Sequence, residues 1–339
     1  MKKYTHAWVA CRAAALLEAA GDAPGLVELL KPHLHHAAIG AWIPDMNEMN
    51  QTGFTTQHHV FQIMPEDSQA SRFICSRDEL VDRMSGSPYV RRYLAEDAYA
   101  NSILTAAWWD RAYRADPDST KPGMHIPNRI MGMTTMLKDL IPIGDDEVQQ
   151  FIQRDPDVLH DIDPEIRVKA KQLAYFLFMI SHYITDACMP CHCDGRNYVS
   201  RSNHYGSIHQ TMERLWENDI KDAFLPSLYD ENATLLDAAV DVDARFGLAF
   251  SEPLKPLKSK RDAWLEGIDC CRSYFSVASV IAPEGEYPYI EGEDRDDLSF
   301  GDVFTDDSDL FAQVTRLSLC DAAHNTAMLW RDAWVQATT

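Results

Sequence analysis

Tyr175-Phe-Leu-Phe-Met-Ile-Ser-His182-Tyr-Ile-Thr-Asp186-Ala-Cys-Met-Pro190-Cys-His192 is the stretch on which the reading of this chain turns. Its first half is too continuously apolar for a strand with one wet face, and it reads as a buried helix. His182 and Asp186 are one helical turn apart, so they project from the same face. Polar groups in such surroundings need partners, because burying one without compensation costs roughly 2–7 kcal/mol. Pro190 is expected to end the helix and bring His192 in from a connecting loop, at an angle that a continuing helix would not give.

Helical periodicity recurs outward from this segment, while period-two alternation between turn residues is nearly absent, so the expected fold is all-α. Thr5 is placed to cap a first helix through about Ala20, with Gly21 as its stop. Ser87-Pro88 opens a helix through about Arg114, and Asp163-Pro164 opens the one ending at Pro190. Later helices are expected near 203–224, 233–248, 259–282 and 308–337. Without a repeat or a Pro/Gly/Ser-rich linker, residues 1–339 read as one domain, with 61–140 a helical insertion and the acidic stretch 284–309 a solvated loop.

Lys and Arg total 31 against 52 Asp and Glu, for a formal charge of −21. That balance, with no basic stripe interleaved with aromatics, disfavours long nucleic acids and anionic bilayers unless a local positive centre overrides it. No apolar run reaches the roughly 20 residues of a membrane span. The apolar segment after Lys2-Lys3 is broken by Arg12 and Glu18, unlike a signal peptide. Eight cysteines are sparse for a disulfide scaffold, so a reduced, cytosolic chain is expected, a secreted mature form being the alternative.

A second one-turn pair, His209 and Glu213, follows the loop holding His204, with Ile208, Met212 and Leu215 as apolar neighbours. Two such pairs are the pattern of helices facing each other across metal ions. In the N-terminal third, His6 lies in the first turn, Asp45 follows Gly40-Ala-Trp-Ile-Pro44, and His58-His59 sit in a polar stretch. His33, His35 and His36 lack carboxylates at ligand spacing and read as surface histidines, while His125 reads as a residue lining a cleft. Cys188, Cys191 and Cys193 flank His192; packing thiols are expected, with a thiolate metal site or redox latch as alternatives.

The set His6, Asp45, His59, His182-x3-Asp186-x5-His192 and His209-x3-Glu213 resembles, in order and local spacing, the zinc-dependent phospholipases C and single-strand-specific nucleases. Thr5-His-Ala-Trp-Val-Ala-Cys-Arg-Ala-Ala also looks like that superfamily's first-helix motif, and Pro44-Asp45 like its loop aspartate. The resemblance implies a helical fold around a three-zinc cleft. Asp45, His59 (or its neighbour His58), His182 and Asp186 would hold one ion, and His192, His209 and Glu213 a second. Asp186 would bridge to a third, shared with His6 and the N-terminal amine. The family uses a mature N-terminal tryptophan there, whereas this chain reads Met1-Lys2-Lys3-Tyr4; Met1 does stand five residues before His6, as in the nuclease branch. Without that amine the site holds two ions.

The expected activity is therefore zinc-dependent cleavage of phosphate esters, with Asp45 orienting or deprotonating the attacking water. A phospholipid or other small phosphodiester comes first, because Glu213 resembles the phospholipase side; single-strand nuclease or 3′-nucleotidase is the alternative. A carboxylate-bridged redox protein would need Glu-x-x-His pairs, of which Asp157-x-x-His160 and Asp321-x-x-His324 are imperfect versions. The remaining class is a helical protein that binds metal without catalysis.

Overall fold

The computed structural model describes residues 1–21, 23–46, 125–144, 168–201, 204–230, 232–250, 263–288 and 295–338, together with 61, 63, 76, 78, 148 and 254. In chain order its helices are α1 (Lys3–Ala20), α2 (Pro24–Leu30), a 3-10 turn (Lys31–His36), α3 (Ala37–Gly40), α4 (Ile43–Met46), α5 (Ile126–Leu140), a second 3-10 turn (Ile141–Ile143) and α6 (Ala170–Ala187). They continue with α7 (Pro190–Cys193), α8 (Asn197–Ser200), α9 (Ile208–Leu228), α10 (Leu235–Phe246), α11 (Ala263–Ile281), α12 (Phe300–Phe304) and α13 (Ser308–Thr338). Among the described residues extended backbone pairs only at isolated bridges, so the chain is all-α as the periodicity predicts. The helix expected from Ser87, most of the 61–140 insertion, His58 and His59 lie outside the described residues.

Helix α1 is the axis of the packing. Residues Thr5 through Leu17 are all buried, and α3, α6, α9, α10 and α13 pack around it. A helix covered on every side must satisfy its polar groups internally. Trp8 accordingly donates from Nε1 to the Ala239 carbonyl at 2.9 Å, and Arg12 grips Asp243 with Nε and Nη2 while lying 4.0 Å over the Phe250 ring. Gly21 stops the helix as expected, in the left-handed conformation at φ 69°. The start differs from expectation: α1 begins at Lys3, and Thr5 is not its cap. The Glu217 carboxylate from α9 accepts the backbone N–H groups of Tyr4 and Thr5 and the Thr5 hydroxyl, which is the work a cap would do.

Helix α6 also departs from its expected limits. It starts at Ala170 rather than Pro164, because Val168 is extended and donates its N–H to the Ile143 carbonyl. It stops at Ala187, and after Cys188 and Met189 Pro190 enters as the first residue of a new turn. His192 is thus carried on the short helix α7 rather than on a loop. Asp45, likewise, sits on α4 and not in a loop.

Two close approaches position these short pieces. A Cβ on Gly40 would lie 2.7 Å from Phe178 Cδ2 and 3.1 Å from the Tyr175 ring, so only glycine lets α3 settle onto α6. At the other end, Leu298 donates to the Tyr198 carbonyl and accepts from Ile208 N, and Phe300 N donates to Gly206 O. Residues 298–300 of the acidic stretch therefore strap the turns before α9, and Ser299 caps α12 through Asp302 N. The later helices fall within a few residues of expectation, α9 running to Leu228 with Pro226 inside its last turn.

Candidate metal centre

His182 and Asp186 face the core from α6 as their one-turn spacing requires, with His182 Nε2 3.1 Å from Asp186 Oδ2. The approach permitted by Gly40 brings the Ala41 carbonyl to 2.6 Å from His182 Nδ1. A carbonyl only accepts, so Nδ1 carries the hydrogen and Nε2 is the ring nitrogen turned to the carboxylates. Asp45 Oδ1 lies 3.6 Å from that same Nε2. His6 stacks on His182 with ring centroids 3.9 Å apart and points Nε2 toward Asp186 Oδ1 at 3.6 Å.

The second group is assembled from α7 and α9. His209 Nδ1 donates to the Ser200 carbonyl, leaving its Nε2 bare beside Glu213 Oε1 at 3.2 Å and His192 Nε2 at 3.0 Å. His192 spans both groups, its Nδ1 3.7 Å from Asp186 Oδ1 and its Nε2 3.5 Å from Glu213 Oε1. The Met1 nitrogen also touches both, at 2.7 Å from Asp186 Oδ1 and 2.9 Å from Glu213 Oε1. Two triads result, His6–His182–Asp186 and His192–His209–Glu213, each buried and each with ligand atoms within 4.8 Å of one another.

The electrostatics keep Asp186 and Glu213 anionic and His6 and His192 neutral. Burial raises the Asp186 and Glu213 carboxyls, but the Met1 amine and the surrounding imidazoles outweigh it and keep both well below the usual range. Burial, with His182 next to it, drives His6 well below an ordinary histidine; His192 is held down to about 4 by burial and the Met1 amine. Burial opposes the charge on the Met1 amine, yet Asp186, Glu213 and Asp45 raise it to about 11. Anionic oxygens and neutral imidazoles are the donor set that divalent zinc prefers.

The fit can be tested on the polar atoms that protein groups leave over. Among the described residues, both ring nitrogens of His6 and Nδ1 of His192 are buried and find no hydrogen-bond partner. Native interiors rarely leave such atoms unsatisfied without a ligand in view. The residues of each triad therefore suit a metal ion, and a cation held there would face an oxygen ligand at the Asp45 side, where the carboxylate retains 18% exposure.

Of the sequence-selected residues, the structure gathers Met1, His6, Asp45, His182, Asp186, His192, His209 and Glu213 into one site; His59 and His58 lie outside the described residues. His35 turns to the Leu228 carbonyl, His36 stacks near Tyr175, and His125 is buried edge-on against Phe61 with its pKa lowered to about 3 by burial. Asp321 takes the Tyr274 hydroxyl and, with His324, joins neither triad; Asp157 and His160 lie outside the described residues. Glu217 went unnoticed in the sequence, although it stands one turn after Glu213 on the same face of α9. The Ala41 and Ser200 carbonyls could not be found there, since side-chain patterns carry no trace of them. Among the described residues no helix is long and apolar enough to cross a membrane. Comparison with known proteins adds no relative: no family model, no curated protein and no solved structure matches the chain.

Proposed function

We propose that this protein is a zinc-dependent hydrolase of phosphate esters, of the kind that the phospholipase C and single-strand nuclease resemblance implies. The observation that carries the reading is the juxtaposition of two buried His/carboxylate triads, one on Asp186 and one on Glu213, joined by His192, which lies near both carboxylates, with three imidazole nitrogens that find no hydrogen bond among the described residues. His182, Asp186, Asp45 and His59 would hold one ion, His192, His209 and Glu213 a second, and His6 with the Met1 nitrogen and Asp186 a third. Zinc bound there would supply Lewis-acid polarisation of phosphoryl oxygens and a water acidified toward neutral pH.

The chain's own residues divide the remaining work. Ala41 and Ser200 fix the ring tautomers of His182 and His209, so neither ring must reorganise when an ion arrives. Asp45, the most exposed carboxylate of the centre, is the group that takes a proton from the attacking water. Lys2, with Nζ 3.6 Å from Glu213 Oε2 and a partly exposed side chain, offers a cation to the phosphate at the rim. The charge of −21 excludes long polyanions from most of the surface, so a small phosphodiester or phospholipid headgroup is the substrate class favoured.

Elemental analysis of the purified chain tests the centre, and assays on a chromogenic phosphocholine ester, single-stranded DNA and 3′-nucleotides test the chemistry. Bound zinc with turnover of the phosphocholine ester is expected. Asp45→Asn should abolish that turnover while most zinc is retained. A metal-free protein would sink the proposal, and zinc without turnover of any phosphoester would reduce it to a metal-binding protein.

A further inference from the structure

Two residues past Asp186, α6 ends on a thiol that the hydrolase reading leaves without a role. Cys188 Sγ lies 3.3 Å from Cys270 Sγ of α11, a contact between residues 82 positions apart. Asn325 of α13 directs its Nδ2 at both sulfurs, 3.5 Å from Cys270 and 3.9 Å from Cys188. Cys270 also lines a small, partly open pocket with Ile130, Ile184, Glu266, Asn325 and Met328, whereas Cys188 is fully buried and does not line it.

We propose that Cys188 and Cys270 are a reversible dithiol–disulfide site that reacts by exchange with small uncharged organic disulfides, Cys270 attacking and Cys188 resolving. A disulfide needs its sulfurs at about 2.05 Å, so closure from van der Waals contact asks for a movement of little more than an ångström. A thiolate metal site would need more donors. Among the described residues only the two imidazole–carboxylate triads bring three ligand atoms together, and neither contains sulfur. The Asn325 amide, directed at both sulfurs, holds Cys270 Sγ in line with Cys188 Sγ.

The exchange balances as two displacements. Cys270 gives up its proton, and its sulfur bonds to one sulfur of the incoming disulfide; that S–S bond breaks, and the departing thiolate takes up a proton. Cys188 then loses its proton and attacks Cys270 Sγ, so the mixed disulfide breaks and a second small thiol leaves. The two protein thiols are oxidised, and the small disulfide is reduced to two thiols. The mostly apolar cavity, with the Glu266 carboxylate on its wall, selects an uncharged disulfide over anionic glutathione disulfide.

The test uses the full folded chain, reduced, desalted and exposed to bis(2-hydroxyethyl) disulfide or glutathione disulfide, then alkylated, digested and mapped by mass spectrometry. A Cys188–Cys270 cross-linked peptide is expected, with an intact mass lower by two hydrogens, faster formation with the uncharged reagent, and full reversal by dithiothreitol. Cys188→Ser should stop at one hydroxyethylthio group on Cys270, and Asn325→Ala should slow the second step about tenfold, the worth of a hydrogen bond. A cross-link joining another pair such as Cys193 and Cys271, modification of Cys188 in place of Cys270, or thiols that stay reduced while the thermal melt remains native would overturn the assignment. Wild-type mapping decides the matter even if a variant folds poorly, and its readout is independent of the metal centre.

Discussion

His6 and Arg12 are carried by the same helix, α1, and both are buried, yet their surroundings differ completely. Arg12 is closed off by protein: two nitrogens meet both Asp243 oxygens at 2.7–3.0 Å and the guanidinium stacks on Phe250. Among the described residues His6 finds no hydrogen-bond partner for either nitrogen, and it leans toward Asp186 at 3.6 Å. One polar group is there to fix how α1 meets α10, and its needs end with its partner. The other stands among carboxylates and imidazoles whose ligand-type atoms converge closely enough to hold a metal ion. Burial alone does not distinguish a structural ion pair from a candidate binding centre; the convergence of several ligand-type atoms on one another does.

Substitutions can break this contrast at either end. The largest expected effect is that of Asp186→Asn, which weakens the carboxylate placed between His182, His6, His192 and the Met1 nitrogen: turnover should fall on the order of a thousandfold, the scale of a lost electrostatic contribution in an active site, and zinc content should drop by at least one ion in elemental analysis. If zinc stays complete, Asp186 is not the bridge. Arg12→Ala should instead cost about 3–5 kcal/mol in denaturant unfolding by stranding the Asp243 charge, with zinc per folded molecule unchanged; the paired Arg12→Met, Asp243→Leu variant should recover most of it. Metal loss in the Arg12 variant would erase the distinction drawn here. Glu217→Ala should weaken zinc at the His6 position about 10- to 100-fold, as losing a group that orients ligands does, read as a shift in competitive chelator titration. Gly40→Ala should cost about 1–3 kcal/mol from overpacking against Phe178, with a smaller zinc shift as the Ala41 carbonyl is pushed from His182.

These examples also mark what could be read before the fold was known. The pairs His182/Asp186 and His209/Glu213 were legible because one helical turn is local and needs no tertiary knowledge. The all-α class followed from the same periodicity. Val168 looked helical in sequence and is not, because a carbonyl from Ile143 competes for its N–H; the expected start at Pro164 failed there. Pro190 was taken as a terminator, yet its fixed backbone suits the first position of α7 equally well, and that turn delivers His192. Glu217 and the carbonyls of Ala41 and Ser200 were hidden, since each acts on a residue far away in the chain and only packing brings them together.

Asp186 turns one oxygen to His182 and the other to His6, His192 and the Met1 nitrogen. A carboxylate facing two ways couples whatever occupies its two sides. A first cation bound there would need the Met1 amine, raised to about 11 by the surrounding carboxylates, to give up its proton and would fix the shared group in place; a second would find both tasks done. Loading should therefore be steep with free zinc concentration, so that sparingly supplied protein partitions into empty and filled molecules with few halfway forms.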